Sequence, residues 1–170
     1  MKRLIKIFLA LAVILTSWNA VYGQTSRKER KEANQKAIKN MVDGPHFFFS
    51  AEYALPQRGG TKQLTSEYDL KVTKDSIIAY LPYYGQAYLA PNPGETEGGI
   101  KFTSTNFSYK QSIKKNGWEI TIKPKDHDIS NWRDVQQMFL TISPDGYASL
   151  SVISSNRDPI SFQGDIIAKE

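Results

Sequence analysis

From residue 46 onward the chain alternates apolar and polar residues with a period of two. Phe47, Phe49 and Ala51 interleave with Phe48, Ser50 and Glu52; Tyr68, Leu70 and Val72 keep the same spacing; Leu150 and Val152 interleave with Ser149 and Ser151. Successive strand side chains point to opposite faces, so the pattern predicts strands with one buried and one wet side. Turn residues punctuate these runs at Arg58-Gly59-Gly60-Thr61, Lys74-Asp75 and Pro144-Asp145-Gly146. Asn116-Gly117, just before Trp118-Glu119-Ile120-Thr121-Ile122, is the strongest hairpin signal, because both residues tolerate positive φ. Strands joined by short turns without intervening helices predict an all-β fold, an antiparallel sandwich or small barrel of about 8–10 strands with one N-terminal α-helix. An outer-membrane barrel does not fit, since the alternate positions carry Lys, Thr, Ser and Asp where an apolar band is needed.

Before residue 46 the period changes. Ser26-Arg27-Lys28-Glu29 fits a capping box, and a helix is expected to run to about Val42, stopping at Asp43-Gly44-Pro45. Its apolar residues, Ala33, Ala37, Ile38 and Met41, form a narrow stripe in the second half, while Arg27 to Glu32 are charged all round. That weak amphipathicity suits a strap helix better than a membrane-surface helix. Further upstream, Lys2, Arg3 and Lys6 precede the uninterrupted apolar run Ile7 to Leu15, and Val21-Tyr22-Gly23 offers small side chains for cleavage before Gln24. The expected organisation is a signal peptide over 1–23, a basic helix over 24–45 and an antiparallel β domain over 46–170. The apolar run is too short for a bilayer anchor, and no cysteine follows it to take a lipid. The expected location is the periplasm or the cell exterior, in soluble form and with no transmembrane segment after cleavage.

Charge changes the picture only by subtraction. The chain carries a net +5, but Lys2, Arg3 and Lys6 lie in the leader, so the remainder is +2. The helix holds the rest of the excess, and residues 43–170 are slightly acidic. No basic face is left for nucleic acid, which is excluded as a partner. The absence of cysteine excludes disulfides, thiol nucleophiles and thiolate metal sites together.

Four of the chain's nine tyrosines fall between Tyr80 and Tyr88. In the run Leu81-Pro82-Tyr83-Tyr84-Gly85-Gln86-Ala87-Tyr88, so much aromatic area either belongs to the core or lines a binding face. Along an extended chain Tyr80, Pro82 and Tyr84 would point one way, and Leu81 and Tyr83 the other. The structural alternative is a bulged core strand with tyrosine hydroxyls at the rim. The functional one is an aromatic platform of Tyr83, Tyr84, Gln86 and Tyr88, with Asn92 and Asn106 as further polar partners, for a small molecule, glycan, peptide, lipid or envelope protein.

Catalytic constellations are scarce. There is no Gly-x-Ser-x-Gly elbow or phosphate-binding glycine loop, and Ser112-Ile113-Lys114-Lys115 matches a Ser-x-x-Lys motif without its partner motifs. Asp126, Asp128 and Ser130, with Asp134 beyond, are spaced like calcium-loop ligands, but Asn131 and Gln137 stand where Gly and Glu are required. His127 has only His46 as a second histidine, too few for zinc. Glu95 and Glu97 could serve a hydrolase of envelope glycan or lipid only if another carboxylate faces them across the bond. No catalytic residue, metal ligand or cofactor is therefore assigned. The expectation is an exported, non-enzymatic binding module, with the loop-carboxylate hydrolase as the alternative.

Leu81 to Tyr88, then Gly98-Gly99-Ile100-Lys101-Phe102, and the C-terminal run Ile142-Ser143-Pro144-Asp145-Gly146-Tyr147-Ala148-Ser149-Leu150 followed by Asn156-Arg157, Ile160 and Gly164, together resemble a known signature. It is that of the domain-of-unknown-function family 4251, secreted proteins of Bacteroidota. The resemblance spans roughly residues 30 to 167, and implies export without implying an activity, substrate or catalytic residue. Many members are lipid-anchored; this chain, lacking cysteine, departs from that. With the family comes a conditional modification site, since Asp75-Ser76-Ile77 fits the O-glycosylation pattern associated with exported proteins of that phylum.

Overall fold

The computed structural model describes residues 27–89, 98–126, 130–131 and 134–168. Helix α1 covers residues 27–43, and ten strands follow it. They are β1 (Phe47–Pro56), β2 (Lys62–Gln63), β3 (Asp69–Val72), β4 (Ile77–Leu81), β5 (Ile100–Ser104), β6 (Phe107–Lys114), β7 (Gly117–Pro124), β8 (Gln137–Ile142), β9 (Tyr147–Ile153) and β10 (Ile160–Ile167). All pair antiparallel in one sheet of order β5-β4-β3-β1-β10-β9-β8-β7-β6, with the short β2 alongside β1. The sheet curls into a nearly closed barrel, which decides between the two architectures expected from the sequence.

Period-two alternation fills the barrel. Leu70, Val72, Ile77, Ala79, Leu81, Ile120, Ile122, Met138, Leu140, Leu150, Val152 and Phe162 are buried, and their neighbours along each strand face outward. Register brings the inward residues opposite one another: Leu70 pairs with Ala79, Leu140 with Leu150, and Phe162 with Leu150. Each large aliphatic or aromatic side chain removed from water contributes about 1.5–3 kcal/mol, so this interior is the main source of stability in a chain without disulfides. In β1 the alternation shifts by one residue: a bulge between Ala51 and Tyr53 inserts Glu52, so that Phe49 and Ala51 face inward before it and Ala54 after it.

Closure uses one strand twice. β5 pairs with β4, β6 pairs with β7, and only Thr105 and Asn106 separate β5 from β6. Residues 100–114 therefore form a single bent strand that serves both ends of the sheet. The bend is fixed from within: the buried Ser104 hydroxyl donates to Asp126 Oδ1 at 2.6 Å, and the Lys125 N–H donates to the Asn106 carbonyl at 2.7 Å.

Helix α1 packs against the barrel through its second half only. Ile38 and Val42 are buried and Met41 lies against the core, whereas residues 27–32 are exposed. Its contacts reach two hairpins. Asn34 Nδ2 donates to the Asp145 carbonyl at 3.2 Å, and the Tyr109 hydroxyl donates to the Val42 carbonyl at 3.3 Å. Asp43, next to the helix end, accepts from Lys39 and from Gln111 Nε2, which together hold its carboxyl below the usual range.

One turn differs from the sequence expectation. The β6–β7 hairpin closes at the Lys114–Gly117 pair, so Lys115 and Asn116 form the turn and Gly117 already belongs to β7. No described non-glycine residue has positive φ, which rules out the two positive-φ positions of a type I′ turn. Gly117, at φ 131°, is needed instead because a Cβ there would overlap the Ile142 carbonyl of the neighbouring β8.

Candidate functional site

The tyrosine stretch leaves the sheet at the end of β4. Tyr80 is still on the outer face, stacked on Tyr68 with ring centroids 5.6 Å apart, and the Lys101 ammonium lies 4.7 Å from its centroid. Leu81 and Pro82 are both buried, so strict alternation ends at Pro82, and the rings beyond it are aimed by a loop rather than by a strand.

That loop docks on the β9–β10 connection. Ala87 and Arg157 form an antiparallel bridge, Tyr88 N–H donates to the Asn156 carbonyl at 2.8 Å, and Asp158 N–H donates to the Gln86 carbonyl at 3.0 Å. The Tyr83 hydroxyl sits 2.9 Å from the Gln86 carbonyl oxygen and 3.1 Å from that of Asp158, sharing its one proton between them. The Tyr88 hydroxyl donates to Asp158 Oδ1. Beneath the loop, the Arg157 guanidinium lies 4.8 Å from the Tyr83 ring centroid and donates from Nη1 to the Gly98 carbonyl at 2.9 Å. The side chain is buried to 2% exposure, and through Nη1 and the face of its guanidinium it ties three chain segments together.

The four candidate residues therefore divide. Tyr83 is half-buried and structural. Gln86 acts through its backbone carbonyl, and its side chain is exposed. Tyr84 and Tyr88 remain accessible, at 36% and 62%, and Leu89 follows at 41%. Sequence reasoning missed Arg157 and Asp158 as the loop's anchors. Asn156-Arg157 stood out only through the family resemblance, and no local pattern marked this arginine as buried.

Electrostatics makes the anchor pH-sensitive at the alkaline end. Burial, reinforced by the Asp158 carboxylate, pushes the Tyr83 hydroxyl up to about 12 from 10.0. The hydrogen bond to Asp158, followed by burial, raises Tyr88, and burial raises Tyr109. Above pH 10 the unfolded chain loses the Tyr83 proton while the folded chain keeps it. The stabilisation is complete below pH 10 and is lost as pH rises towards about 12. Thermal melts across that interval are expected to fall more steeply for the native sequence than for Tyr83→Phe; equal slopes would contradict this assignment.

The remaining candidates are dispersed. Asp126 accepts from Ser104 at the strand bend, and Asp134 Oδ2 accepts from Ser155 Oγ at 2.8 Å, so both carboxylates serve the framework. His127, Asp128, Asn92, Glu95 and Glu97 lie outside the described residues, as does the expected leader. Among the described residues no three His, Cys, Asp or Glu side chains gather in a metal-binding arrangement. Asn106 contributes its carbonyl to the bend rather than an amide to the tyrosine loop. Ser76 lies in the β3–β4 turn, where its hydroxyl is 3.0 Å from Thr73 Oγ1. The Ser112–Lys115 match falls on the β6–β7 hairpin, not at a helix start.

Comparison with known proteins adds a family and a fold. The profile of the family described as "Domain of unknown function (DUF4251)" matches residues 29–166. A crystal structure of a DUF4251 family protein from Bacteroides eggerthii DSM 20697 superposes with a TM-score of 0.56 at 17% identity, covering 80% of this chain and 88% of that one. No curated protein matches significantly. No helix among the described residues is long and apolar enough to cross a membrane.

Proposed function

This chain belongs to the DUF4251 family, and from that premise we propose that it is an exported, non-enzymatic binding module whose recognition surface is the loop carrying Tyr84, Gln86 and Tyr88. One observation carries the reading: exposed aromatic rings stand on a loop pinned to the β9–β10 connection by backbone bonds, by Tyr83 and by the Tyr88–Asp158 contact. A pinned loop loses little conformational freedom on binding, and tyrosine offers a large flat face at low entropic cost. The exposed Gln86 amide beside those rings supplies a donor and an acceptor, the combination that suits the flat face and hydroxyls of a sugar. Export rests on the leader-like residues 1–23 and on the family resemblance.

The test is a glycan array probed with the exported protein and with Tyr84→Ala and Tyr88→Ala. Loss of an exposed aromatic anchor is expected to weaken binding by about 1–2 kcal/mol, roughly five- to thirtyfold, with little change in melting temperature for Tyr84→Ala. Binding that persists unchanged in the double variant would remove this surface from consideration. Intact mass of the exported protein, expected to begin at Gln24, tests the export half separately.

A further inference from the structure

A second surface lies on different elements from the tyrosine loop. Between α1 and the β6–β7 hairpin runs a groove of about 320 Å³, lined by Gln35, Lys36 and Lys39 from the helix, Ile113 to Lys115, Gly117 and Trp118 from the hairpin, and Pro144. Its apolar wall is Ile113, Trp118 and Pro144. Ile113 is 71% exposed, the most accessible large apolar residue described, and it stands directly opposite Trp118 across the hairpin. Its rim is cationic: four lysines line it and no carboxylate does. Lys39 is paired with Asp43 and Lys114 with Glu119, whereas Lys36 and Lys115 have no ion-pair partner among the described residues.

An apolar wall beside two ammonium groups that no described carboxylate pairs asks for a ligand with a hydrocarbon body and one anionic end. We infer that this groove binds a medium-chain fatty acid, with the tail against Ile113, Trp118 and Pro144 and the carboxylate between Lys36 and Lys115. At about 320 Å³ the groove sits at the lower end of small-ligand sites, which favours a medium chain over a long one. Neutral amphiphiles would leave the lysines unused, and short carboxylates would leave the apolar wall wet.

Trp118 forms part of the wall, so its fluorescence reports on occupancy. Titration of the exported protein with decanoate, below its aggregation concentration, is expected to give a saturable emission change. Decanol and butyrate are expected to bind at least about tenfold more weakly. Lys36→Glu combined with Lys115→Glu should weaken decanoate by about five- to tenfold, as two partly exposed ion pairs are lost. Ile113→Asn should weaken it comparably, and its exposed position leaves the fold intact, as circular dichroism would verify. The proposal is overturned if decanoate gives no saturable change, if decanol binds as tightly as decanoate, or if the double lysine variant keeps native affinity. Vesicles of phosphatidylglycerol form a separate arm: binding to them without binding monomeric decanoate would make the surface a membrane contact and overturn the fatty-acid assignment. Glycan binding by the tyrosine loop should be unchanged in all three substitutions, so the two surfaces can fail independently.

Discussion

Replacing Arg157 with alanine is expected to lower the melting temperature by about 6–12 °C. The side chain is buried beneath the Tyr83 ring, and its Nη1 donates to the Gly98 carbonyl, with the Gly99 carbonyl at 3.5 Å. Truncation leaves a carbonyl without its donor, opens a cavity under an aromatic ring and removes a cation–π contact. Together these amount to about 3 kcal/mol, which in a domain of this size corresponds to the shift stated. Lysine should recover only part of the loss, because a compact ammonium cannot lie flat on the Tyr83 ring while donating to the Gly98 carbonyl, as the planar guanidinium does. Differential scanning calorimetry of the native protein, Arg157→Ala and Arg157→Lys decides the matter. A melting temperature within about 2 °C of native for the alanine variant would show that the node contributes little.

The other large effect belongs to Gly164. It lies in β10 opposite Ala51, immediately before the bulge that inserts Glu52 into β1. A Cβ at Gly164 would overlap the Ser50 carbonyl oxygen and sit 2.9 Å from its carbon and 3.1 Å from the Ala51 Cα. These are backbone atoms held by the β1–β10 ladder and cannot move aside as a flexible side chain would. Gly164→Ala is therefore expected to cost about 3–5 kcal/mol, and Gly164→Val to prevent recovery of soluble folded protein. Ser161→Val, on the same strand and facing outward, is the control and should fold normally. Soluble yield and urea midpoint report the result; a native midpoint for Gly164→Ala would mean that the two strands can separate at no cost.

Much of this architecture is legible in the sequence because a two-residue period translates directly into inward and outward faces. Leu150 and Val152 against Ser149 and Ser151 read correctly without any tertiary information. The Asn116-Gly117 signal located the hairpin but misplaced its turn, since what demands glycine is the approach of Ile142 from β8, and a local pattern cannot register a third strand. Closure was hidden for a similar reason. Nothing in Thr105-Asn106 distinguishes a bend within one strand from a turn between two; the difference lies in Ser104 and Asn106 meeting Asp126 and Lys125 from the far end of β7. The tyrosine loop was conspicuous by composition, yet its anchors were not. Arg157 and Asp158 are unremarkable in a polar connection until the fold brings residues some seventy positions earlier against them.

The doubled strand also governs how the molecule meets its neighbours. Among the described residues β5 pairs only with β4 and β6 only with β7, so the two edges of the nine-strand path lie on one continuous stretch of chain. A bend lies between them, and their outward positions carry Lys101, Lys110 and Lys114. A second chain seeking to extend the sheet would have to follow that bend and bury those ammonium groups beside its own. Bent and lysine-bearing edges are a recognised protection against sheet-to-sheet aggregation. The same turn of backbone that closes the barrel thus keeps one molecule from templating the next.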